Sequence, residues 1–434
     1  MSEAFALDLS GLDSAPAYWE RRPLWTLVRR RDITDHPDAE LLSVYRDHGV
    51  VPKSSRDDNF NKPSEDLSAY RYVRPGDLVL NKMKTWQGSL AVSEHEGIVS
   101  PAYFVCEMAP AVHPRFVHHL LRSRPYIHLY QAASKGIRPN QWDLPFDEFR
   151  ALPMLLPPLK EQRRIADFLD AEIARIDKMR QFTSRQAGLL EERFKESMRL
   201  ETTTGSGPTV STGIAWMPEM NREWRLLKVN REFRTTGGTT PTSSDEKYFG
   251  GPYPWVNSGD INDGLITHAE KSVTKKALID FSTLKMLPAG ALAIALYGQG
   301  ATKGRVGILD MEACLNQACC ALIPAGAISV EFAYYWFRGH KDGVVAQAVG
   351  AGQPNLSQEL IRQLRIPVPD LARQKQIVER LRVEEVRLRT HTSLLRARDD
   401  LLAERRQALI TAAVTGQFDV STASGRNVTD GVTA

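Results

Sequence analysis

The chain has 434 residues, a charged fraction of 25% and a formal net charge of +4 at pH 7. This length exceeds one ordinary core and suits two to three domains, while the net charge permits a nucleic-acid partner without arguing for one. The N-terminal residues lack the basic and apolar regions of a signal peptide, and no run of about 18 apolar residues is present. We therefore expect no membrane span and a cytoplasmic location.

Residues 1–156 are predicted to form a first globular unit with mixed helices and strands. Short apolar runs alternate with turn signals, which predicts strands at 78–80 and 102–105. Residues 116–131 have a helical apolar pattern that Pro125 interrupts. Two polar loops follow, at 81–88 after the first of these strands and at 136–142 before an apolar stretch.

A long helix is predicted over residues 157–205. It opens at Pro157-Pro158, where proline is tolerated in a first turn, and it contains no further proline before Gly205. Leu169, Ile176 and Leu190 keep a spacing of seven or fourteen residues, which is typical of a helix that buries one stripe against another helix.

The same arrangement returns in the second half. Residues 206–366 are predicted to form a second globular unit, 367–418 a second long helix, and 419–434 a disordered tail. Leu159, Gln162 and Ile165 each have a counterpart of the same type 212 positions later. A self-match at a fixed period indicates two similar halves, each a globular unit followed by a long helix.

The second helix has a complete heptad leucine series, in the same register as the first helix. Its predicted interface residues are Leu381, Leu388, Leu395, Leu402 and Leu409. The other seam position was assigned to polar residues, namely Glu384, His391, Arg398 and Arg405. We therefore expect a helix pair rather than a strict leucine zipper.

Candidate chemistry concentrates in loops. The glycine-rich loop 297–305 fails the phosphate-loop pattern, which needs Gly-Lys-Ser/Thr after a fixed gap, because Gly304 is followed by Arg305. A hairpin presenting basic side chains to a polyanion and a tight turn with solvated charges both remain open. In the first unit, Trp86 in loop 81–88 is either a core anchor or part of a binding surface.

Motifs for catalysis and metal binding are missing. The sequence has no nucleophile elbow, zinc-protease motif, dinucleotide-binding fingerprint or aminomethyltransferase signature. Neither the histidines at 113, 118 and 119 nor the four cysteines have metal-ligand spacing. Structural histidines and reduced core thiols are the favoured interpretations.

Taken with the repeat, three segments resemble the specificity (S) subunit of type I restriction–modification systems. They are Leu156 to Gln162 at the start of the first long helix, Gly350 to Leu356, and Ile366 to Pro369. Residues 86–92 and 297–305 also resemble recognition-domain sequences of this family. Arg373-Gln374 departs from the family's usual Glu-Gln and puts one capping interaction in doubt.

The resemblance implies an α+β fold, with two mixed α/β target recognition domains separated by two long antiparallel helices in a pseudo-twofold repeat. Each domain would read one half of a split, asymmetric site in double-stranded DNA, and the helices would set the spacer. The helices would also dock methyltransferase (M) subunits, two in number, together with restriction (R) subunits for phage defence. The chain itself would be non-catalytic and free of metal and cofactor, with S-adenosylmethionine and ATP on its partners.

The candidate DNA contacts are polar loop residues. In the first domain they are Lys82, Lys84, Gln87, Arg138, Asn140 and Gln141. In the second domain they are Asn257, Lys275, Lys276, Gln299, Lys303, Arg305, Gln353 and Asn355. Asn140 and Asn355 have a second interpretation, in which they orient each domain on its helix. The alternative function is a coiled-coil scaffold that binds no specific DNA sequence.

Overall fold

The computed structural model describes residues 10–56, 63–134, 142–298, 300–348 and 354–422. Arg138, Asn140, Gln141, Gln299 and Gln353 of the candidate set lie outside these ranges. The chain divides into two compact units, one of Met1–Thr183 with Arg396–Ala434 and the other of Ser184–Leu395. Each unit, named unit 1 and unit 2, holds one globular domain and one end of each long helix. The domain boundaries drawn from the sequence stay a prediction.

The first domain, in unit 1, is built from short strands with a few helices. Its strands are β1 Glu20–Pro23, β2 Val28–Arg30, β3 Leu42–Tyr45, β4 Gly49–Pro52, β5 Arg71–Val73, β6 Leu78–Asn81, β7 Leu90–Val92, β8 Gly97–Val99, β9 Tyr103–Met108 and β10 Pro153–Leu156. Its helices are α1 Pro114–Leu121, α2 Arg124–Ala133 and α3 Phe146–Ala151, and the first long helix is α4 Leu159–Glu201. The helix predicted over 116–131 is therefore two helices. The break precedes Pro125, which lies in the first turn of α2.

The second domain, in unit 2, has the same kind of composition. Its strands are β11 Thr209–Ile214, β12 Met217–Asn221, β13 Arg225–Lys228, β14 Phe233–Gly237, β15 Phe249–Val256, β16 Gly264–Ile266, β17 Ser272–Val273, β18 Leu292–Ala295, β19 Val306–Leu309, β20 Cys314–Leu315, β21 Cys319–Pro324 and β22 Arg365–Val368. Its helices are α5 Val229–Glu232, α6 Lys275–Asp280, α7 Val330–Gly339, α8 Lys341–Val345 and α9 Gln358–Gln363, and the second long helix is α10 Leu371–Val414.

The main sheets of the two domains repeat one strand order. In the first domain the order is β2-β9-β6-β7, and in the second it is β14-β21-β18-β19, with β16 added parallel to β19. The strands that enter and leave each domain also pair antiparallel, β1 with β10 and β13 with β22. The predicted α+β class and the internal repeat are thus confirmed at the level of topology.

Apolar side chains form a core in each domain. In the first domain Phe116, Tyr126 and Tyr130 are fully buried, in one cluster with residues from the start of α4 and the end of α10. In the second domain Phe332 and Trp336 of α7 take the equivalent place. All four cysteines are buried and free, and burial raises the pKa of the Cys106 thiol to about 12. Those thiols therefore stay protonated at neutral pH.

The long helices run antiparallel in unit 1. Arg180 on α4 donates from Nε to Asp399 Oδ1 of α10 at 2.9 Å. Asp177, one turn earlier on α4, pairs with Arg406 at 3.4 Å, later on α10. The residue number falls on one helix where it rises on the other, which is the antiparallel order.

Unit 2 shows the same order at the other ends of the two helices. Ser197 Oγ donates to Glu384 Oε2 at 2.6 Å, and Glu201 pairs with Arg380 at 2.9 Å. All eight predicted interface residues are buried or half-buried: Leu169, Ile176, Leu190, Leu381, Leu388, Leu395, Leu402 and Leu409.

The polar residues assigned to the second seam position differ in burial: Glu384 and Arg405 are half-buried, and Glu384 accepts a hydrogen bond from Ser197 of α4. His391 and Arg398 are exposed, whereas Glu385 and Thr392 are each only 8% exposed. The buried Glu385 carboxylate pairs with Arg338 at 2.9 Å and accepts a hydrogen bond from Tyr335 at 2.9 Å. Glu385, the residue after the assigned Glu384, is therefore buried with partners on α7. Sequence periodicity did not indicate this burial, because it cannot reveal a partner in another element.

Candidate nucleic-acid interface

In the first domain, the candidate side chains project from one tight turn after β6. Thr85 Oγ1 donates to the carbonyl of Asn81 at 2.7 Å and closes the turn. Gly88 ends it with a φ of +91°, a left-handed conformation that glycine adopts without steric cost. Lys84 is exposed, and Lys82 and Gln87 are half-buried. The turn therefore presents two cations and an amide within six residues.

The chain that precedes α3 meets this turn. The backbone N–H of Leu144 donates to the carbonyl of Lys82 at 3.3 Å, and the Lys82 ammonium pairs with Asp143 at 3.0 Å. The indole of Trp86 lies with its ring centre 5.1 Å from that of Trp142. Trp86 is half-buried, so it is neither a fully buried core anchor nor a free surface residue. Trp142, Asp143 and Leu144 thus meet the turn after β6 at Lys82 and Trp86.

The second domain makes the same junction with different side chains. The backbone N–H of Leu356 donates to the carbonyl of Leu296, at the end of β18, at 3.1 Å. The Lys303 ammonium donates to the carbonyl of Pro354. Asn355, the next residue, is exposed. Leu144 and Leu356 are 212 positions apart, the same offset as the long helices. The length difference between the two loops therefore precedes these leucines.

Arg305 and Asn257 have defined partners in the second domain. Arg305 donates to Asn262 Oδ1 at 2.8 Å. The Asn257 amide donates to the carbonyl of Trp255 at 3.2 Å, and its oxygen accepts from Asn316 at 2.9 Å. Asn257 therefore holds its own loop together, which leaves less of its amide for a ligand than the sequence prediction assumed.

Lys275 and Lys276 lie at the start of α6 and are exposed. Lys276 pairs with Asp280 one turn later at 3.0 Å, and α6 packs on β15. The structure therefore places these lysines on a separate element from the loop after β18. Their assignment to DNA contact stays a prediction.

Lys341 was missed by sequence reasoning. It begins α8, and its ammonium donates to the carbonyl of Ala301 at 3.2 Å, inside the loop that carries Lys303 and Arg305. Burial lowers its pKa, and the nearby Arg305 charge acts in the same direction, while Asp263 opposes them. No local motif marks Lys341, because only the fold brings α8 against the loop after β18.

Gln162 and Gln374 fix each domain to the start of its long helix through identical bonds. Gln162 Oε1 accepts from the N–H of His113 at 2.7 Å, and its Nε2 donates to the carbonyls of Ala111 at 3.1 Å and Pro157 at 2.8 Å. In unit 2 the corresponding partners of Gln374 are Ser329, Ala327 and Pro369, at 2.8, 3.0 and 2.9 Å. Both glutamines are fully buried. The aligned pair found in the sequence is thus a repeated structural joint.

The histidines of α1 make intramolecular contacts. His119 lies 2.8 Å from Asp170 of α4, which also pairs with Arg115 at 2.5 Å. The hydrogen bond from His119 is the main cause that lowers the pKa of Asp170 to about 2. Over the described ranges, no three His, Cys, Asp or Glu side chains are grouped as a metal site. None of the helices there combines the length and apolarity that a bilayer crossing needs.

Comparison with known proteins finds similarity to type I restriction specificity proteins. Residues 222–388 match the family described as "Type I restriction modification DNA specificity domain". The MjaIX type I restriction enzyme specificity subunit of Methanocaldococcus jannaschii is 26% identical over 161 residues, a match that spans only 36% of each chain. A longer match, 20% identical over 372 residues and covering 82% of both chains, is to the specificity subunit assigned to the MjaX type I enzyme of the same archaeon.

A solved structure extends the likeness to the whole fold. It comes from work on complex assembly and conformational transition of a type I restriction–modification system. The two folds superpose with a TM-score of 0.71 and 20% sequence identity, covering 93% of this chain and 99% of the other. The repeated domains, the repeated helix joint and these matches agree. The chain is therefore similar in sequence and in fold to specificity subunits of type I restriction–modification systems.

Proposed function

We propose that this chain selects the DNA sequence on which a type I restriction–modification complex acts. The observation that carries the proposal is the repeat of one architecture with different loop side chains. Both domains share a strand order and a glutamine joint, but the turn after β6 and the loop after β18 carry different polar residues. One scaffold with two different polar surfaces suits the reading of two different half-sites, so the target is asymmetric.

The chemistry of the two loops suits a polyanion. Lysine and arginine neutralise phosphates, whereas glutamine and asparagine can bond an adenine edge in the major groove. The first loop offers Lys84 and Gln87, and the second offers Lys303, Arg305 and the neighbouring Lys341. These residues are the first candidates for DNA contact in each domain.

The long helices have two roles in the proposal. They set the separation of the half-sites, since each has over 40 residues and a rise of about 1.5 Å per residue. They also dock methyltransferase subunits, two of them, and through these the restriction subunits. Large apolar side chains exposed along the helices support a docking role, because such patches mark interaction surfaces: Phe182, Leu189, Val386, Leu394 and Leu401 are each at least 55% exposed.

Catalysis belongs to the partner subunits in this proposal. S-adenosylmethionine would bind to the methyltransferase subunits and ATP to the restriction subunits, while this chain supplies specificity alone. A cytoplasmic location follows from that role, because the target is the cell's own and invading DNA. The missing catalytic motifs in the sequence support this division of labour.

Co-expression with the cognate methyltransferase subunit tests the proposal. Modified adenines in the host DNA are mapped by long-read sequencing, with and without this chain. A two-part motif with a fixed gap, present only when the chain is expressed, is the expected result. A stable complex that produces no motif would instead favour the scaffold function.

A further inference from the structure

The cations of the first domain's turn differ in how their charge is matched. The Lys82 ammonium pairs with Asp143 at 3.0 Å, and the two side chains are 44% and 33% exposed. Lys84, two residues later, is exposed and has no ion pair within the described part of the chain. One turn therefore carries a cation whose charge is neutralised beside one whose charge is not.

The second domain has no acid in the equivalent place. Asn355 precedes Leu356 as Asp143 precedes Leu144, and both leucines make the same backbone bond to the end of a central strand. The partner of Lys303 there is the neutral carbonyl of Pro354. The Asp143 carboxylate is thus specific to the first domain. The backbone junction made by Leu144 and Leu356 does not require it.

A neutralised lysine is poorly suited to a phosphate. The affinity that a lysine gains from a phosphate comes from its unmatched charge, which releases a counterion from DNA. Because Asp143 cancels the charge of Lys82, that gain is largely removed. The remaining N–H donors of the ammonium keep their direction, and base edges in the major groove are read by such directed donors.

The position of the carboxylate decides which member of the pair meets the base. Asp143 Oδ2 faces Lys82, while Oδ1 is buried and has no hydrogen-bond partner in the described ranges. A carboxylate with one oxygen buried and the other on lysine is held in place. Asp143 is accordingly a positioning residue, and Lys82 is the residue that meets DNA.

We propose that Lys82, positioned by Asp143, reads a guanine in the half-site of the first domain. Guanine presents two adjacent acceptors, N7 and O6, in the major groove, and lysine is one of the side chains that pair with them. The inference rests on the proposed function. It names the base that the first domain reads, the residue that reads it and the residue that positions that side chain.

The test uses the full chain in complex with its methyltransferase subunit and the target mapped for the wild type. Duplexes in which each G·C pair of the first half-site is replaced in turn are bound at several salt concentrations. K82Q and D143N should each lose discrimination at the same single G·C position, by about 5- to 150-fold. The matched control D147N removes an exposed acid whose ion-pair partner in the described ranges is Arg150 on α3, and it should leave discrimination unchanged.

Salt dependence separates base reading from phosphate contact. The double variant K82Q/D143N removes a matched pair and should leave the slope of log affinity against log salt unchanged, whereas K84Q should make it shallower by about 0.9. D143N should make the slope steeper, because it exposes an unmatched cation. A merely structural role of Asp143 would not produce that opposite change.

Three results would overturn the inference. They are a shallower slope with uniform weakening in the K82Q/D143N double variant, a changed preference at an A·T pair, and an unaltered motif in both single variants. A melting temperature of D143N equal to that of D147N shows that the fold is intact. If the wild type itself yields no motif, the proposed function fails and the inference with it, so the two failures are distinguishable.

Discussion

Replacing Gln374 with leucine tests whether the glutamine joint holds the second domain to α10. Leucine keeps much of the buried volume but removes one acceptor and two donors. The N–H of Ser329 and the carbonyls of Ala327 and Pro369 then lose a partner inside the protein. At about 1 kcal/mol for each of the three bonds, the free energy of unfolding of unit 2 should fall by about 3 kcal/mol.

Urea unfolding followed by tryptophan fluorescence measures the loss. With a slope of about 2 kcal/mol per M, the midpoint of the unit 2 transition should drop by about 1.5 M. Gln376→Leu is the matched control, because Gln376 lies exposed two residues further along the same helix. Its midpoint should correspond to a change within about 0.5 kcal/mol. Equal midpoints for the two variants would refute the assignment of the joint.

Three further predictions concern the helices, one ion pair and one turn. Four residues added to a long helix extend it by about 6 Å, so the mapped spacer should lengthen by roughly two base pairs while both half-sites keep their sequence. Asp170 has a pKa lowered from 3.8 to about 2 by His119, so its contribution to stability is present above about pH 4 and is lost towards pH 2; the urea midpoints of wild type and D170N should converge over that range. Gly304→Ala should destabilise the fold more than Gly290→Ala, since both have positive φ but only the first places a Cβ 2.6 Å from Val345; equal melting temperatures would contradict this.

The fold was predictable where the sequence repeats itself. The fixed offset of 212 between Gln162 and Gln374 identified both long helices and the two similar halves. The hydrophobic period also selected residues of the long helices that are buried or half-buried. The burial of Glu385 was not predictable, because this carboxylate bonds to Arg338 and Tyr335, which lie on an element distant in sequence.

For the candidate site, the sequence predicted the positions of the loops but not the contacts that they make. Composition and turn signals located the loops after the central strands, because polar residues next to a buried strand end must lie at the surface. They could not show that Lys82 meets Asp143 or that Lys341 joins the loop of Lys303, since those contacts depend on how loops fold back. Asn257 shows the opposite case. The sequence marks it as a candidate contact, but its side-chain amide already donates a hydrogen bond to the backbone carbonyl of Trp255.

The strands that enter and leave each domain lie side by side, β1 against β10 and β13 against β22. A chain that departs from and returns to the same place can be exchanged whole, since the remainder needs only the two paired ends. Recombination between related genes at these strands would replace one domain and preserve both helices. If each domain reads one half-site as proposed, the protein could thereby acquire a new half-site in a single event, whereas substitution one residue at a time would pass through intermediates that recognise neither sequence well.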